Sequence, residues 1–469
     1  MMEDSVRWDE LRDEILRRIT PSCEEEESLR RLCSKLERDI TGLLGEAGIE
    51  GVAEVHGSAA RGTWLAGEKD IDLFMILDPR YDRTVFQRAL DVVKMYLGSG
   101  WVEAYAEHPY IKSFIDGFDV EFVPCYRVEP GKRLYSATDR TPLHTSFVNE
   151  NLSPERRSDV RLLKQFMKGI GVYGAEVKVG GFSGYLCELL IISLGSFEDV
   201  LLQASNWRRG EVIDITGRWR EDDLRRMFQN PIIVVDPVDP SRNVASAVSD
   251  TSAWTFVAAA RSFLKRPREI FFFHEEEADP AVLLEALRGR DPPILFLLMP
   301  DESPPVPDIL WGQLYKAERA LSGLLERRGF KVLRSSSWSD EASRHIIVFE
   351  LESLEIPSTM RFMGPPVEMV EDSERFLKAH LKAESTITGP WIEGGRWWVG
   401  LRRRYTNARS LIDEALRRGG REIGIPRILD ERIKKGFKIL LNEEVEDLLE
   451  GDFIRFIMDF IRGRPVWLE

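Results

Sequence analysis

Two carboxylates sit two residues apart in Asp70-Ile71-Asp72-Leu73-Phe74-Met75-Ile76-Leu77, shortly after Val55-His56-Gly57-Ser58-Ala59-Ala60-Arg61-Gly62-Thr63-Trp64. The order reads as a strand ending at Gly-Ser, a short helix, a polar loop and a second strand. Strand side chains alternate with a period of two, so Asp70 and Asp72 project to one face while Ile71 and Leu73 take the other. Two like charges held side by side require a cation. A hard divalent ion meets that need, and Mg2+ takes one or two carboxylates together with substrate phosphates. Gly57 permits close backbone approach, and Ser58 opens a helix whose free N–H groups favour an anion. A phosphate seat beside a metal seat is the expectation. Alone, a Gly-Ser is most often a turn and an Asp-x-Asp a solvated strand end; their closeness, between two apolar strands, favours chemistry.

The 469 residues suggest about three domains. A hydrophobic fraction of 43% and four cysteines without metal-site spacing (Cys23, Cys33, Cys125, Cys187) describe a globular chain that needs no disulfide scaffold. Met1-Met2-Glu3-Asp4 lacks the basic and apolar regions of a signal peptide, and no apolar run approaches the roughly 18 residues of a membrane span, so no membrane partner and a cytoplasmic location are expected. A net charge of -14 argues against indiscriminate coating of nucleic acid but allows a local basic groove.

Along the chain, Ser22 and Glu25 form a capping box, followed by Leu29, Leu32, Leu36 and Ile40 at helical spacing. Thr84 to Tyr96 is an amphipathic helix. The strand Phe118-Asp119-Val120-Glu121-Phe122-Val123-Pro124 again puts its carboxylates on one face. If it lies beside the Asp70-Asp72 strand, it supplies a third metal ligand; Glu121, deeper in the apolar run, is favoured and Asp119 is the fallback. Three carboxylates around two ions suit in-line displacement at phosphorus. Neither a serine triad nor a Walker-type phosphate loop is recognisable.

Ser153-Pro154 reads as a helix start. Arg157, Arg161, Lys164 and Lys168 then recur on one stripe, balanced between a solvated face and a phosphate-facing one, while Val160, Leu163 and Met167 turn inward. Ser183 and Asp239 read as helix caps. After a break at Lys265-Arg266-Pro267, a strand-helix-strand-strand order (294–299, 308–328, 331–334, 345–350) predicts a small layer with one sheet face covered. A helix at 371–382, an Arg-Trp-rich strand at 395–405 and three closing helices complete the reading. Arg402, Arg403 and Arg404 of that strand are candidates for RNA contact, set against ordinary core and surface roles.

Gly57-Ser58, Asp70-Ile71-Asp72 and the later acidic strand resemble the palm of polymerase-beta-type nucleotidyltransferases. Arg140-Thr141-Pro142-Leu143-His144-Thr145, Arg161-Leu162-Leu163-Lys164, Gly171-Val172-Tyr173-Gly174-Ala175-Glu176, Gly181-Phe182-Ser183-Gly184-Tyr185-Leu186-Cys187-Glu188 and Asp236-Pro237-Val238-Asp239-Pro240-Ser241-Arg242-Asn243 extend the resemblance to the archaeal, class I CCA-adding enzymes. The resemblance implies an α+β multidomain fold: a polymerase-beta-like nucleotidyltransferase palm (1–150), a helical central domain (151–265) and α+β C-terminal RNA-binding domains (266–469). It implies addition of CCA to tRNA from CTP and ATP, with Mg2+ on Asp70, Asp72 and Glu121. Gly57, Ser58 and Arg61 would hold the triphosphate, Thr141, His144, Lys164 and Tyr173 its phosphates or sugar, and Arg242 would help select the base. One departure stands out: the archaeal enzymes usually carry Glu-x-Asp and then Asp, whereas this chain has Asp70-x-Asp72 and then Glu121. The alternatives are another RNA terminal transferase, poly(A)-adding or oligoadenylate-making, and a catalytically silent RNA-binding protein. The oligomeric state is left open, a homodimer being one option.

Overall fold

The computed structural model describes residues 2–105, 108–129, 131–132, 134–274 and 279–468. The chain divides into two compact units, Met1–Glu275 with Pro465–Glu469, and Glu276–Arg464.

The first unit runs α1 (Met2–Ile19), α2 (Cys23–Glu46), β1 (Gly51–His56), α3 (Gly57–Arg61), β2 (Asp70–Leu77), α4 (Thr84–Leu97), β3 (Trp101–Tyr105), β4 (Pro109–Ile115) and β5 (Phe118–Tyr126). It continues through α5 (Arg140–Asn151), α6 (Arg157–Gly169), α7 (Gly184–Leu194), α8 (Phe197–Ala204), β6 (Glu211–Ile213), α9 (Glu221–Met227), β7 (Ile232–Val234) and α10 (Asp250–Lys265). Five strands form one sheet in the order β1-β2-β5-β4-β3. β2 and β5 are parallel; the other neighbours are antiparallel.

The periodicities explain the layering. Leu29, Leu32, Leu36, Ile40 and Leu44 recur on one face of α2, and Val85, Phe86, Ala89, Leu90 and Val93 on one face of α4. Both stripes pack against Ile71, Leu73, Met75, Val120 and Phe122, the odd positions of β2 and even positions of β5. The alternate positions, including Asp70, Asp72 and Glu121, are thereby committed to the other face. The capping box at the start of α2 is present, with the Glu25 N–H donating to Ser22 Oγ and the Ser22 N–H to the Glu25 carboxylate.

A second core lies among α1, α6, α7, α8 and α10, centred on Phe166, Phe197, Phe263, Phe271 and Phe272. It also takes Ile15 and Ile19 of α1 and Trp467. The helical core therefore recruits residues from far earlier and later in the chain than 151–265. Trp467 stacks on Phe271 at 5.8 Å, and Arg268 Nη2 donates to its carbonyl at 2.7 Å.

The second unit comprises α11 (Pro280–Leu287), β8 (Ile294–Pro300), α12 (Pro307–Arg327), β9 (Val332–Ser339), β10 (Arg344–Leu351), β11 (Thr359–Pro366), α13 (Val370–His380), β12 (Thr386–Glu393), β13 (Arg396–Arg402), α14 (Ala408–Gly419), α15 (Arg427–Ile433), β14 (Lys438–Leu441) and α16 (Gly451–Arg462). Its larger sheet has the order β14-β8-β10-β9. The structure corrects the expected single covered face: α12, α14 and α15 pack on one side and α11 and α16 on the other. Continuous apolar runs such as Ile294-Leu295-Phe296-Leu297-Leu298-Met299 are the mark of a strand buried on both faces. A smaller sheet, β11-β13-β12, carries the Arg-Trp strand at its centre. Its outer strands went unforeseen because register breaks and Pro365, Pro366 and Pro390 interrupt their alternation. Trp467→Ala should destabilise the first unit by about 3–5 kcal/mol, the cost of removing a buried indole; a change below about 1 kcal/mol in chemical denaturation would show that the helical core does not depend on it.

Candidate active site

Gly57 opens α3 with φ +68°, and a Cβ there would lie 2.1 Å from Asp72 Oδ2. Only glycine allows both this backbone conformation and the close passage of the carboxylate. The strand registers then arrange the face. His56 pairs with Asp72, Asp72 with Glu121, and Glu121 with Lys112; alongside, Asp70 pairs with Asp119. Paired residues on neighbouring strands project to the same side about 4.8 Å apart. Three carboxylates and the fallback Asp119 are thus brought onto one surface, as the alternation predicted.

Their electrostatics show the strain of that assembly. Burial first, and then Glu121 and Asp70, push the Asp72 carboxyl up to about 6 against the opposing pull of Arg61. Asp70 is also raised, by burial and then by Glu68, Asp119 and Glu121. Glu121 turns to Lys112, whose Nζ lies 2.5 Å from its Oε1. His56 is buried, and burial followed by Arg61 lowers it to about 4, so it stays neutral. Among the described residues no three His, Cys, Asp or Glu side chains already form a metal cage. The donor set nonetheless fits a hard divalent cation: all donors are carboxylate oxygens, and a cation would relieve the repulsion that raises Asp70 and Asp72 and that Lys112 offsets at Glu121.

The basic stripe of α6 has a different place from either expectation. Lys164, 1% exposed, donates from Nζ to Thr63 O at 2.9 Å. Arg161 donates to Trp64 O at 3.0 Å and Gly62 O at 2.8 Å, and Lys168 pairs with Glu68 at 2.5 Å. The stripe therefore braces the loop between α3 and β2. Arg61 is likewise buried, its Nε 3.1 Å from Oε2 of the fully buried Glu188 on α7, which also accepts from Thr63 Oγ1. Neither Arg61 nor Lys164 is a free surface cation. Tyr173 is half-buried beneath the same brace, with Lys168 Nζ 5.3 Å from its ring centre.

His144 and Arg242 meet at a residue the sequence reading did not single out. Asp236, fully buried, receives Arg242 Nη1 at 2.8 Å, His144 Nε2 at 3.0 Å and the Tyr185 hydroxyl at 3.4 Å. Burial would raise Asp236, but the hydrogen bonds and charges of His144 and Arg242 win and hold it below the usual carboxylate range. His144 is itself lowered, by burial first, against the opposing hydrogen bond and charge of Asp236. The His144 ring stacks on Tyr185 at 4.0 Å, and Arg61 lies 5.8 Å from that tyrosine ring. Thr141 is half-buried in the first turn of α5. Asp239 is not a helix cap: it holds a turn, accepting from Ser241 and pairing with Arg140 at 2.8 Å. Ser183 does cap α7, through the Leu186 N–H. A lone glutamate inside Tyr185-Leu186-Cys187-Glu188-Leu189-Leu190-Ile191 was the available signal for Glu188, since an unpaired charge would not persist there.

In the second unit, Arg402 is exposed at the end of β13, Arg403 donates to Arg328 O at 3.2 Å, and Arg404 pairs with Glu414 at 2.9 Å. Arg361 lies 4.5 Å over Trp398, so the small sheet presents an arginine-tryptophan face. No helix among the described residues is long and apolar enough to cross a membrane.

Three family models match: nucleotidyltransferase domain at residues 45–144, tRNA nucleotidyltransferase, second domain, at 158–273, and CCA-adding enzyme, C-terminal domain, at 293–442. The CCA-adding enzyme of Pyrobaculum islandicum is 41% identical over 421 residues, 88% of this chain and 96% of the relative. That of Methanothermobacter thermautotrophicus is 37% identical over 465 residues, 95% and 97% of the two chains. That of Methanosarcina mazei is 35% identical over 468 residues, 98% and 100%. Nucleotidyltransferases of this superfamily generally use divalent metal ions. With near-complete coverage at such identities, the chain belongs to the CCA-adding enzymes, tRNA nucleotidyltransferases with a polymerase-beta-like catalytic domain.

Proposed function

We propose that the chain adds C, C and A to the 3′ end of tRNA from CTP and ATP, and that Asp70, Asp72 and Glu121 hold the Mg2+ ions of the reaction. The observation that carries this reading is the side-by-side placement of Asp72 and Glu121 under the Gly57 turn. The reaction joins the terminal ribose 3′-oxygen to the α-phosphorus and expels pyrophosphate. Bound there, divalent ions supply activation of the attacking hydroxyl and charge stabilisation of the leaving group.

The protein's own groups do the rest. Backbone N–H groups at Gly57 and the Ser58 hydroxyl face the triphosphate; α3 is only five residues long, so local donors matter more than a helix dipole. Arg61 and Lys164 act from beneath, through Glu188 and Thr63, to fix that turn. Thr141 and Tyr173 border the sugar and phosphates, His144 orients Asp236, and Asp236 aims Arg242, whose side chain is 34% exposed, at the base. A base lacking the matching acceptors would leave the N–H groups of Arg242 not taken by Asp236 without a partner, and such mismatches discriminate. Arg402, with the Arg361–Trp398 pair, offers phosphates and bases of the tRNA a contact surface. An enzyme of tRNA ends acts in the cytoplasm.

Asp72→Asn should reduce CTP incorporation into tRNA ending before CCA by at least about 1,000-fold, as expected when charge stabilisation at the reacting phosphorus is lost, while tRNA affinity stays within about twofold; an active variant would remove the metal assignment. Incubation with ATP alone should give no run of A on that RNA, and a growing A tail would favour a poly(A)-type transferase. Because Asp72 holds a proton up to about pH 6, a metal ion must displace it below that pH. Divalent-metal affinity measured by calorimetry should therefore rise about tenfold per unit as pH approaches 6 and level off above it; a flat profile from pH 5 to 7 would mean that Asp72 does not bind the ion.

A further inference from the structure

The face that carries the carboxylates continues past Glu121. On β4, Ile111 and Ile115 pack into the sheet's core, so Tyr110, Lys112 and Phe114 extend the carboxylate face. On β3, Trp101 turns to the core and Val102, opposite Lys112, to the same open face. Phe114 is in register with Asp119 and, through it, Asp70; Lys112 is in register with Glu121 and Asp72. Phe114 and Lys112 therefore stand two strands, about 10 Å, from β2. Phe114 is 67% and Val102 66% exposed, an apolar platform beside the most acidic part of the sheet.

We propose that Phe114, Val102 and Lys112 dock the last nucleotide of the acceptor RNA, with its base on Phe114 and its phosphate at Lys112. This rests on the nucleotidyl-transfer reading above. In-line displacement puts nucleophile and leaving group on opposite sides of phosphorus. The Gly57-Ser58 turn lies on the β1 side of Asp72, so the acceptor must come from the β5–β4 side, where this platform stands. The terminal base also changes after each addition. A ring that stacks on any base suits that requirement, whereas hydrogen-bond readout would accept one acceptor and reject the next. Lys112, half-exposed and paired with Glu121, supplies a point charge for the phosphate when a cation takes over that carboxylate.

The test uses the full chain with tRNA whose 3′-terminal nucleotide is 2-aminopurine, a fluorophore quenched by stacking. Wild type and Asp72→Asn should quench it equally, Phe114→Ala should restore the fluorescence, and Phe114→Tyr should quench again. In steady state, Phe114→Ala should raise KM for the acceptor about tenfold, the scale of one lost base–aromatic stack, with KM for CTP unchanged. On an acceptor ending in an abasic nucleotide, the variant and wild type should have the same KM. Unchanged quenching and unchanged acceptor KM in Phe114→Ala would overturn the platform, as would an effect on the oligomeric state alone. A wild-type chain that quenches the terminus yet incorporates no nucleotide would instead overturn the transfer reading and leave the docking surface standing.

Discussion

The contact between Gly57 and the Asp72 carboxylate is the constraint on which the rest depends. It joins two sequence features, a turn and a strand, into one object by forbidding any side chain between them. Once the turn sits on the strand, donors for an anion and acceptors for a cation are neighbours. Everything else in the first unit keeps that neighbourhood in place against its own repulsion.

The helical core performs much of that work. Buried charges are costly unless paired, and here three pairings span more than 90 residues of chain, Arg61 with Glu188, Lys164 with the Thr63 carbonyl and Asp236 with His144, while Arg242 reaches Asp236 from six residues away. Replacing such pairs by apolar groups would often stabilise a fold. Their retention beside the carboxylate sheet is explained by position: each fixes the backbone at 61–64 or the orientation of a residue at the site.

The carboxylate-bearing sheet was legible because its signals are local. Period-two alternation put Asp70 and Asp72 on one face of their strand and Asp119 and Glu121 on one face of theirs; adjacency of the two strands was only a condition, and the parallel β2–β5 pairing meets it, with Glu121 beside Asp72 and Asp119 beside Asp70. The brace was not legible, because a stripe of Arg161, Lys164 and Lys168 looks the same whether it meets water, phosphate or buried carbonyls. Asp236 and Asp239 illustrate the limit as well: both sit in one polar loop, and only the fold separates the buried hub from the turn residue. In the second unit, β14 is short and pairs with the distant β8, while β11 and β12 are interrupted by prolines and register shifts, β12 even though it forms a hairpin with the adjacent β13.

Against the Glu-x-Asp and Asp that the resemblance implies, Asp70 is shorter and Glu121 longer by a methylene, which keeps the number of charges while shifting a methylene from one side of the proposed ion site to the other. The account requires that the ions still lie between β2 and β5. The most direct measurement is anomalous diffraction from crystals of the chain soaked with Mn2+ and a non-hydrolysable CTP analogue. The account predicts manganese peaks within about 2.5 Å of carboxylate oxygens of Asp70, Asp72 and Glu121, shared with the triphosphate. Peaks held by other residues, with Glu121 still on Lys112, would contradict it.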